Sequence, residues 1–273
     1  MARSIMPTAM AMMSVGAVLV TGCRAGGGEA IAPIDDPDAV IAEAVEGSLD
    51  ADSVTLDLSA EVATSLGNRG LTMMGSMDVD GRSSLTVRSE SSAGDIEVEQ
   101  RSDGETTWVR VEGDQLEGLI PDGTEWIRGD NEDFADTTQA MDQILSAVIV
   151  LRGASGVEPT GTSTVGDDGV RTFTADVDLE QMRALADEQE LANFDRLLTL
   201  EGDDPTITAE QIAIDEQGRL RALELSGTSD GDEDVEVRLE YEIVSYDVEV
   251  DVVEPKGDGI IDAADVPELL ENL

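Results

Sequence analysis

The chain switches between two hydrophobic periods, and the switches mark its elements. From Asp38 to Leu49 the apolar residues Val40, Ile41, Ala44, Val45 and Leu49 recur at helical spacing, with acids leading the first turn where the helix dipole favours them. The period then falls to two. Val54, Leu56, Leu58, Ala60 and Val62 alternate with polar residues, and Leu71, Met73, Gly75, Met77 and Val79 do so after Gly67-Asn68-Arg69-Gly70, which predicts two strands and a turn. Leu85 with Val87, Ile96 with Val98, and Val109 with Val111 continue the alternation in shorter strands. Asp80-Gly81, Ala93-Gly94-Asp95 and Asp103-Gly104 separate them, since glycine accepts the positive φ of tight turns. Five strands linked so closely are largely antiparallel.

Between residues 134 and 151 the helical period returns. Phe134, Met141, Ile144, Leu145, Val148 and Leu151 form one stripe, Asp133, Asp136 and Asp142 fall off it, and Gly153 marks the end. Val157 to Val165 reads as a weak strand, Asp167-Asp168-Gly169 as a turn, and Val170 to Val177 as a clearer strand. A second helix at about 178 to 199 carries Leu179, Met182, Leu185, Phe194, Leu197 and Leu198 on one side. Sheet resumes from Thr206 to Ile214, turns at Asp215-Glu216-Gln217-Gly218 and runs on from Leu220 to Gly227. The last run, Val235, Val237, Leu239, Tyr241 and Ile243, breaks near Ser245 and resumes as Val248, Val250 and Val252. That phase change predicts a bulge near Ser245. The fold class expected is α+β: a broad, curved antiparallel sheet wrapped on two or more helices. No repeat at solenoid spacing and no shift of composition divides residues 38–273, which are expected to form a single domain.

A third pattern precedes these elements. Ile5 to Val20 is almost wholly apolar or small, follows Arg3, and runs into Leu19-Val20-Thr21-Gly22-Cys23, with no acid before Glu29. This is the layout of an export signal, and its end resembles a bacterial lipobox. Residues 1–22 are then a signal peptide, and Cys23 is the diacylated, palmitate-bearing first residue of the mature chain. Two acyl chains anchor stably where one is marginal, because each buried methylene contributes about 0.8 kcal/mol. The apolar run falls short of the roughly 20 residues a membrane span needs. Residues 23–37, rich in glycine and proline, read as the acylated cysteine and a flexible tether. The expected location is the extracytoplasmic face of a cell membrane.

Composition narrows the chemistry. The formal charge is −45, and removal of residues 1–22 with Arg3 makes it −46. Such a surface repels nucleic acid and anionic headgroups. All cations but Lys256 are arginine, and the acids are dispersed, as on a salt-adapted surface; a dedicated calcium store would cluster them. Aromatics are only 3% of residues, so aliphatic side chains must build the core. Cys23 is the sole cysteine, which leaves no disulfide within one chain. The absence of histidine excludes Ser-His and Cys-His pairs and His-ligated zinc. Paired carboxylates of a glycosidase kind cannot be read from spacing among 61 acids, and Gly26-Gly27-Gly28 opens no βαβ unit. The expectation is a protein that is not an enzyme and carries no cofactor. The tail Gly257-Asp258-Gly259-Ile260-Ile261-Asp262-Ala263-Ala264-Asp265 resembles the second half of an EF-hand or dockerin loop. Counting back, however, puts Lys256 at the third ligand position, where it cannot bind a cation. A turn leading into a short helix from Asp265 to Leu273 is the simpler expectation. Trp108 and Trp126 read as packing residues.

A lipobox, a tether, a short helix, a five-strand run, two mid-chain helices and a final meander ending in Val253-Glu254-Pro255 follow one another in a particular order. Within it lie Ser53-Val54-Thr55-Leu56-Asp57-Leu58, Thr107-Trp108-Val109-Arg110-Val111, Gly123-Thr124-Glu125-Trp126-Ile127, Asp215-Glu216-Gln217-Gly218-Arg219-Leu220 and Val237-Arg238-Leu239-Glu240-Tyr241. Over residues 36 to 265 the chain resembles the LppX- and LprG-type lipoproteins of actinobacteria, within the LolA-like group. It departs from mycobacterial members in its acidity and scarcity of lysine. The resemblance implies a half-barrel sheet wrapped on helices, a lipid or glycolipid in the apolar space between, and no catalytic residue to carry over. On that expectation the cavity is lined by Met73 and Met77 from the sheet, Met141, Leu145 and Val148 from the first mid-chain helix, and Leu185, Phe194 and Leu197 from the second. Methionine's flexibility suits varied acyl chains. The alternative is a non-catalytic envelope scaffold or interaction lipoprotein with the same fold and a packed core. The sequence leaves both open, because residues that line a cavity and residues that fill a core are equally apolar.

Overall fold

The computed structural model describes residues 36–64, 67–91, 94–116, 118–130, 133–134, 148–186, 191, 206–230 and 234–270. Their strands are β1 (Ser53–Thr64), β2 (Gly67–Asp78), β3 (Arg82–Glu90), β4 (Ile96–Asp103), β5 (Thr106–Glu112), β6 (Trp126–Asp130), β7 (Ala154–Val165), β8 (Asp168–Val177), β9 (Thr206–Ile214), β10 (Leu220–Asp230), β11 (Asp234–Tyr246) and β12 (Ile260–Asp262). They form one open, curved sheet in the order β12-β6-β5-β4-β3-β2-β1-β11-β10-β9-β8-β7. Two meanders, β1 to β6 and β7 to β11, are joined where β1 pairs with β11. Every pairing is antiparallel except that of β12 with β6.

Register explains why one face is buried. Leu58 stands opposite Met73, and the row continues through Val87, Val98 and Val111. In the other direction it runs through Tyr241, Leu223, Ile212 and Phe173. Because strand side chains alternate, the neighbours of these residues, among them Asp57, Glu61, Glu97, Glu224, Glu240 and Glu242, lie on the opposite face. The aliphatic face is covered by α1 (Pro37–Leu49), by the turn Val150–Gly153 and by α2 (Leu179–Leu185). A second cluster, Val109, Val111, Leu116, Ile127 and Phe134, packs against Ala263, Val266 and Leu269 of the tail.

The Asp36 side chain caps α1 by accepting from the Ala39 N–H. The helix buries Ile41, Ala44, Val45 and Ser48. Ser48 Oγ accepts from the Leu220 N–H at 3.0 Å and lies 3.0 Å from Tyr246 Oη, which donates to the Leu220 carbonyl. This ties the helix to the start of β10. Burial pushes the Tyr246 phenol up to about 12, against a lowering by its contact with Ser48.

The bulge expected near Ser245 lies at Val244: Thr55 pairs with Ser245 and Leu56 with Ile243, so Val244 has no opposite residue. Arg221 takes up the carbonyls loosened there, donating from Nε to Ile243 O at 2.8 Å and from Nη2 to Val244 O at 2.9 Å. Beyond Tyr246 the expectation fails, because Val248 to Val252 do not continue the strand. Asp247 turns left-handed at φ 55°, its carboxylate receiving the Asp52 N–H and Arg219 Nη1. The chain then leaves the sheet, and the Val253 carbonyl accepts from Arg101, on the face opposite Gln100. Two turns also shift. Gly67 to Gly70 belong to β2, with Gly67 pairing Thr64, and Asp168 and Gly169 belong to β8.

The first mid-chain helix lies mostly outside the described residues. Val148 and Ile149 are helical and pass into the 3₁₀ turn Val150–Gly153, which ends at the glycine that was expected to end it. Of the second, residues 179–185 and 191 are described as helical. The tail forms β12, a 3₁₀ turn at Ala263–Asp265 and the four-residue α3 (Pro267–Leu270), so the terminal helix starts later than expected.

Gly75 shows how tightly the sheet is drawn. It sits between Leu56 and Leu85 at φ +144°, and a Cβ there would meet Ser84 O at 2.1 Å and Leu85 Cα at 2.8 Å. Neither backbone atom can step aside, so Gly75→Ala is expected to cost about 3 kcal/mol or more. Urea unfolding measures this; an unchanged midpoint would contradict the register.

The acidic face gives a second test. Its arginines sit between carboxylates, Arg110 between Glu99 and Glu112 and Arg238 between Glu224 and Glu240. Exposed pairs of this kind contribute about 0–1 kcal/mol each, too little to outweigh the self-repulsion of a chain at −45. Screening shortens from about 10 Å at 0.1 M salt to about 3 Å at 1 M. The melting temperature is therefore expected to rise from 0.1 to 2 M NaCl, and equally in KCl. A flat or falling curve would remove the salt-adapted reading, and a large rise with micromolar calcium alone would replace it.

Candidate ligand site on the concave face

Of the eight residues expected to line a cavity four are described, three of them in packed core and one exposed. Met73, Met77 and Val148 are buried in the main core cluster, Val148 at 2% exposure. Leu185 is 58% exposed at the end of α2. Met141, Leu145, Phe194 and Leu197 lie outside the described residues.

An apolar cleft opens instead at the far end of the same face. Two register rows build its floor: Ala60, Leu239 and Leu225, then Val62, Val237, Gly227 and Ile207. Val150, from the turn after the first mid-chain helix, closes it from above. Among the described residues of the lining Ser226 is the one with a hydroxyl, and the volume is about 70 Å³. The four described ones of the expected set, Met73, Met77, Val148 and Leu185, do not line it. Sequence reasoning placed Ala60, Val62, Val237 and Leu239 on strands without marking them, because their alternation is that of any half-buried strand.

Polar groups interrupt this face at few points. Tyr241, in the central row, is fully buried and its hydroxyl has no partner among the described residues; burial raises its pKa well above the ordinary phenol range. Ser83 Oγ and Gln100 Nε2 are also buried and without a partner among the described residues. The tryptophans belong to the opposite face. Trp126 is buried beneath Arg101 and Arg110, whose guanidinium carbons stand 4.7 Å and 5.5 Å from its ring centre. That is cation–π packing and leaves no open platform for a ligand. Among the described residues no group of three acidic, histidine or cysteine side chains could hold a metal, and no helix is long and apolar enough to cross a membrane.

No family model and no curated protein matches the chain. Among solved structures it is similar to LprF from Mycobacterium bovis, with a TM-score of 0.48 and 10% identity, covering 82% of this chain and 99% of that one. It is also similar to the lipoprotein LppX of Mycobacterium tuberculosis, with a TM-score of 0.39, 12% identity, and coverage of 79% and 98%. A LolA superfamily protein from Nitrosomonas europaea has a TM-score of 0.21, 10% identity, and coverage of 81% and 94%. LppX-type and LolA-like proteins, which the sequence resembles, are thus both among its structural neighbours.

Proposed function

We propose that the chain is a lipoprotein held on the extracytoplasmic face of a cell membrane through acylated Cys23, that it is not an enzyme, and that it binds a lipid or glycolipid against the concave face of its sheet. The chemistry of the cleft carries this reading. Its lining offers hydrocarbon on every side and almost nothing to a polar ligand, and burying a methylene there is worth about 0.8 kcal/mol.

Size sets the condition. A dry apolar cavity of roughly 150 Å³ accepts one benzene, and this cleft has less than half that volume. An acyl chain therefore enters only if Val150 and its turn move away from Ile207 and Leu239. The same small volume favours a second reading, an envelope scaffold or interaction lipoprotein whose core is packed and holds no ligand.

Organic extracts of the purified full-length protein separate the two. Extraction leaves the covalent acyl chains on Cys23, so lipid found by mass spectrometry in stoichiometric amount supports the carrier. Its consistent absence supports the scaffold.

A further inference from the structure

The concave face carries a polar strip far from the cleft. Ser83 faces Ser102 across β3 and β4, Ser102 faces Thr107 across β4 and β5, and Gln100 stands between Leu85 and Val109. Ser83, Gln100, Ser102 and Thr107 are exposed by 2% or less. Ser102 Oγ accepts from the Gly104 N–H at 3.2 Å, and Thr107 also has an interaction partner. Ser83 Oγ and Gln100 Nε2 have no partner among the described residues. They are diagonal neighbours on adjacent strands, about 7–8 Å apart at the backbone and within reach of a long side chain. Leaving such groups unpaired is costly, whereas apolar residues of the same shape would be neutral or better. A polar partner from outside the chain would account for both.

We propose that Ser83 and Gln100 form a polar subsite that hydrogen-bonds an uncharged oxygen, a hydroxyl or ester carbonyl, of the lipid held against this face. The inference rests on the lipid-binding reading. Gln100 Nε2 can only donate, and the serine hydroxyl can donate or accept, which suits such an oxygen. A phosphate does not fit. Of the described residues that share this face on β2 to β6, Arg69 alone is cationic, and it is exposed at the far rim beside Val62. An anion at the strip would lose its hydration without a counter-charge. Position agrees with this assignment. From Ala60 in the cleft to Gln100 is three strand spacings and four residues along, about 20 Å on a flat sheet. One acyl chain spans about 15 Å, half of a bilayer's hydrocarbon core, which falls about 5 Å short of that flat-sheet distance. The curvature of the sheet shortens the straight path, so a lipid with its tail at the cleft brings its first polar atoms near the strip.

The test uses the full-length protein and three probes: pyrene-labelled diacylglycerol, the matching phosphatidate, and a pyrene-alkane of equal length. In the Ser83→Ala/Gln100→Leu variant the diacylglycerol Kd is expected to rise on the order of tenfold. The alkane Kd stays the same, and the melting temperature stays level or increases. The wild type should prefer diacylglycerol to phosphatidate. Equal Kd values in variant and wild type would assign the two side chains an ordered water and overturn the subsite. Equal losses for diacylglycerol and alkane would make the change one of packing and overturn it too. Wild-type protein that binds none of the probes would bring down the lipid reading, and the subsite with it.

Discussion

Cys23→Ser is expected to abolish acylation and leave the signal uncut or cut elsewhere, so that no lipid-modified mature protein reaches the membrane fraction. The thiol is the only group in the chain that can carry the anchor, since no other cysteine exists. A serine hydroxyl at the same place is not acylated. The energetic margin is large. Two chains bury many methylenes at about 0.8 kcal/mol each, whereas a single chain gives only reversible binding of about 10⁴ M⁻¹. Nothing on the rest of the surface compensates, because a chain at −45 is repelled by anionic headgroups. Fractionation, with mass spectrometry of the N-terminal peptide, reads both parts of the result. Membrane-bound, lipid-modified mature protein recovered from the serine variant would remove the anchor and the location built on it.

What could be read from the chain follows from how strongly each feature constrains local sequence. The central strands were legible because one buried face forces alternation, and a one-residue slip would expose Leu56, Leu58 and Met73 together. The bulge was legible as a break in that phase, found one residue from Ser245 at Val244. The same signal misled at Val248, Val250 and Val252. Those three repeat the spacing of a strand without sharing one buried face, since Val250 is buried while Val248 is exposed. β12 left no trace, since three residues beside β6 owe their state to a pairing with Trp126, Ile127 and Arg128 far back in the chain. The polar strip did leave one: Gln100 and Ser102 continue the parity of Val98, so a buried polar pair could have been inferred from the alternation. The cleft could not, because Ala60 and Leu239 differ from core residues only in what stands above them.

Filling the cleft and overfilling the core are expected to give opposite results, and together they decide between carrier and scaffold. Val148 sits in the packed cluster with Val150 and Leu151. Val148→Trp therefore forces strain of about 1–3 kcal/mol, a fall of roughly 2–12 °C in melting temperature at 2–4 °C per kcal/mol for a domain of this size. Ala60 lines open apolar space of about 70 Å³, too small for a ring but large enough for two methyl groups, so Ala60→Val adds buried surface without displacing backbone, and the melting temperature should hold or rise. If the cleft admits an acyl chain, those methyl groups occupy its floor beside Leu239 and Leu225, and extractable lipid should drop about tenfold, the loss of roughly two buried methylenes. A scaffold shows the same two melting shifts with no lipid in the wild type to lose. A third result, in which Ala60→Val binds lipid as the wild type does, would place the ligand elsewhere on the face and remove the cleft from the mechanism.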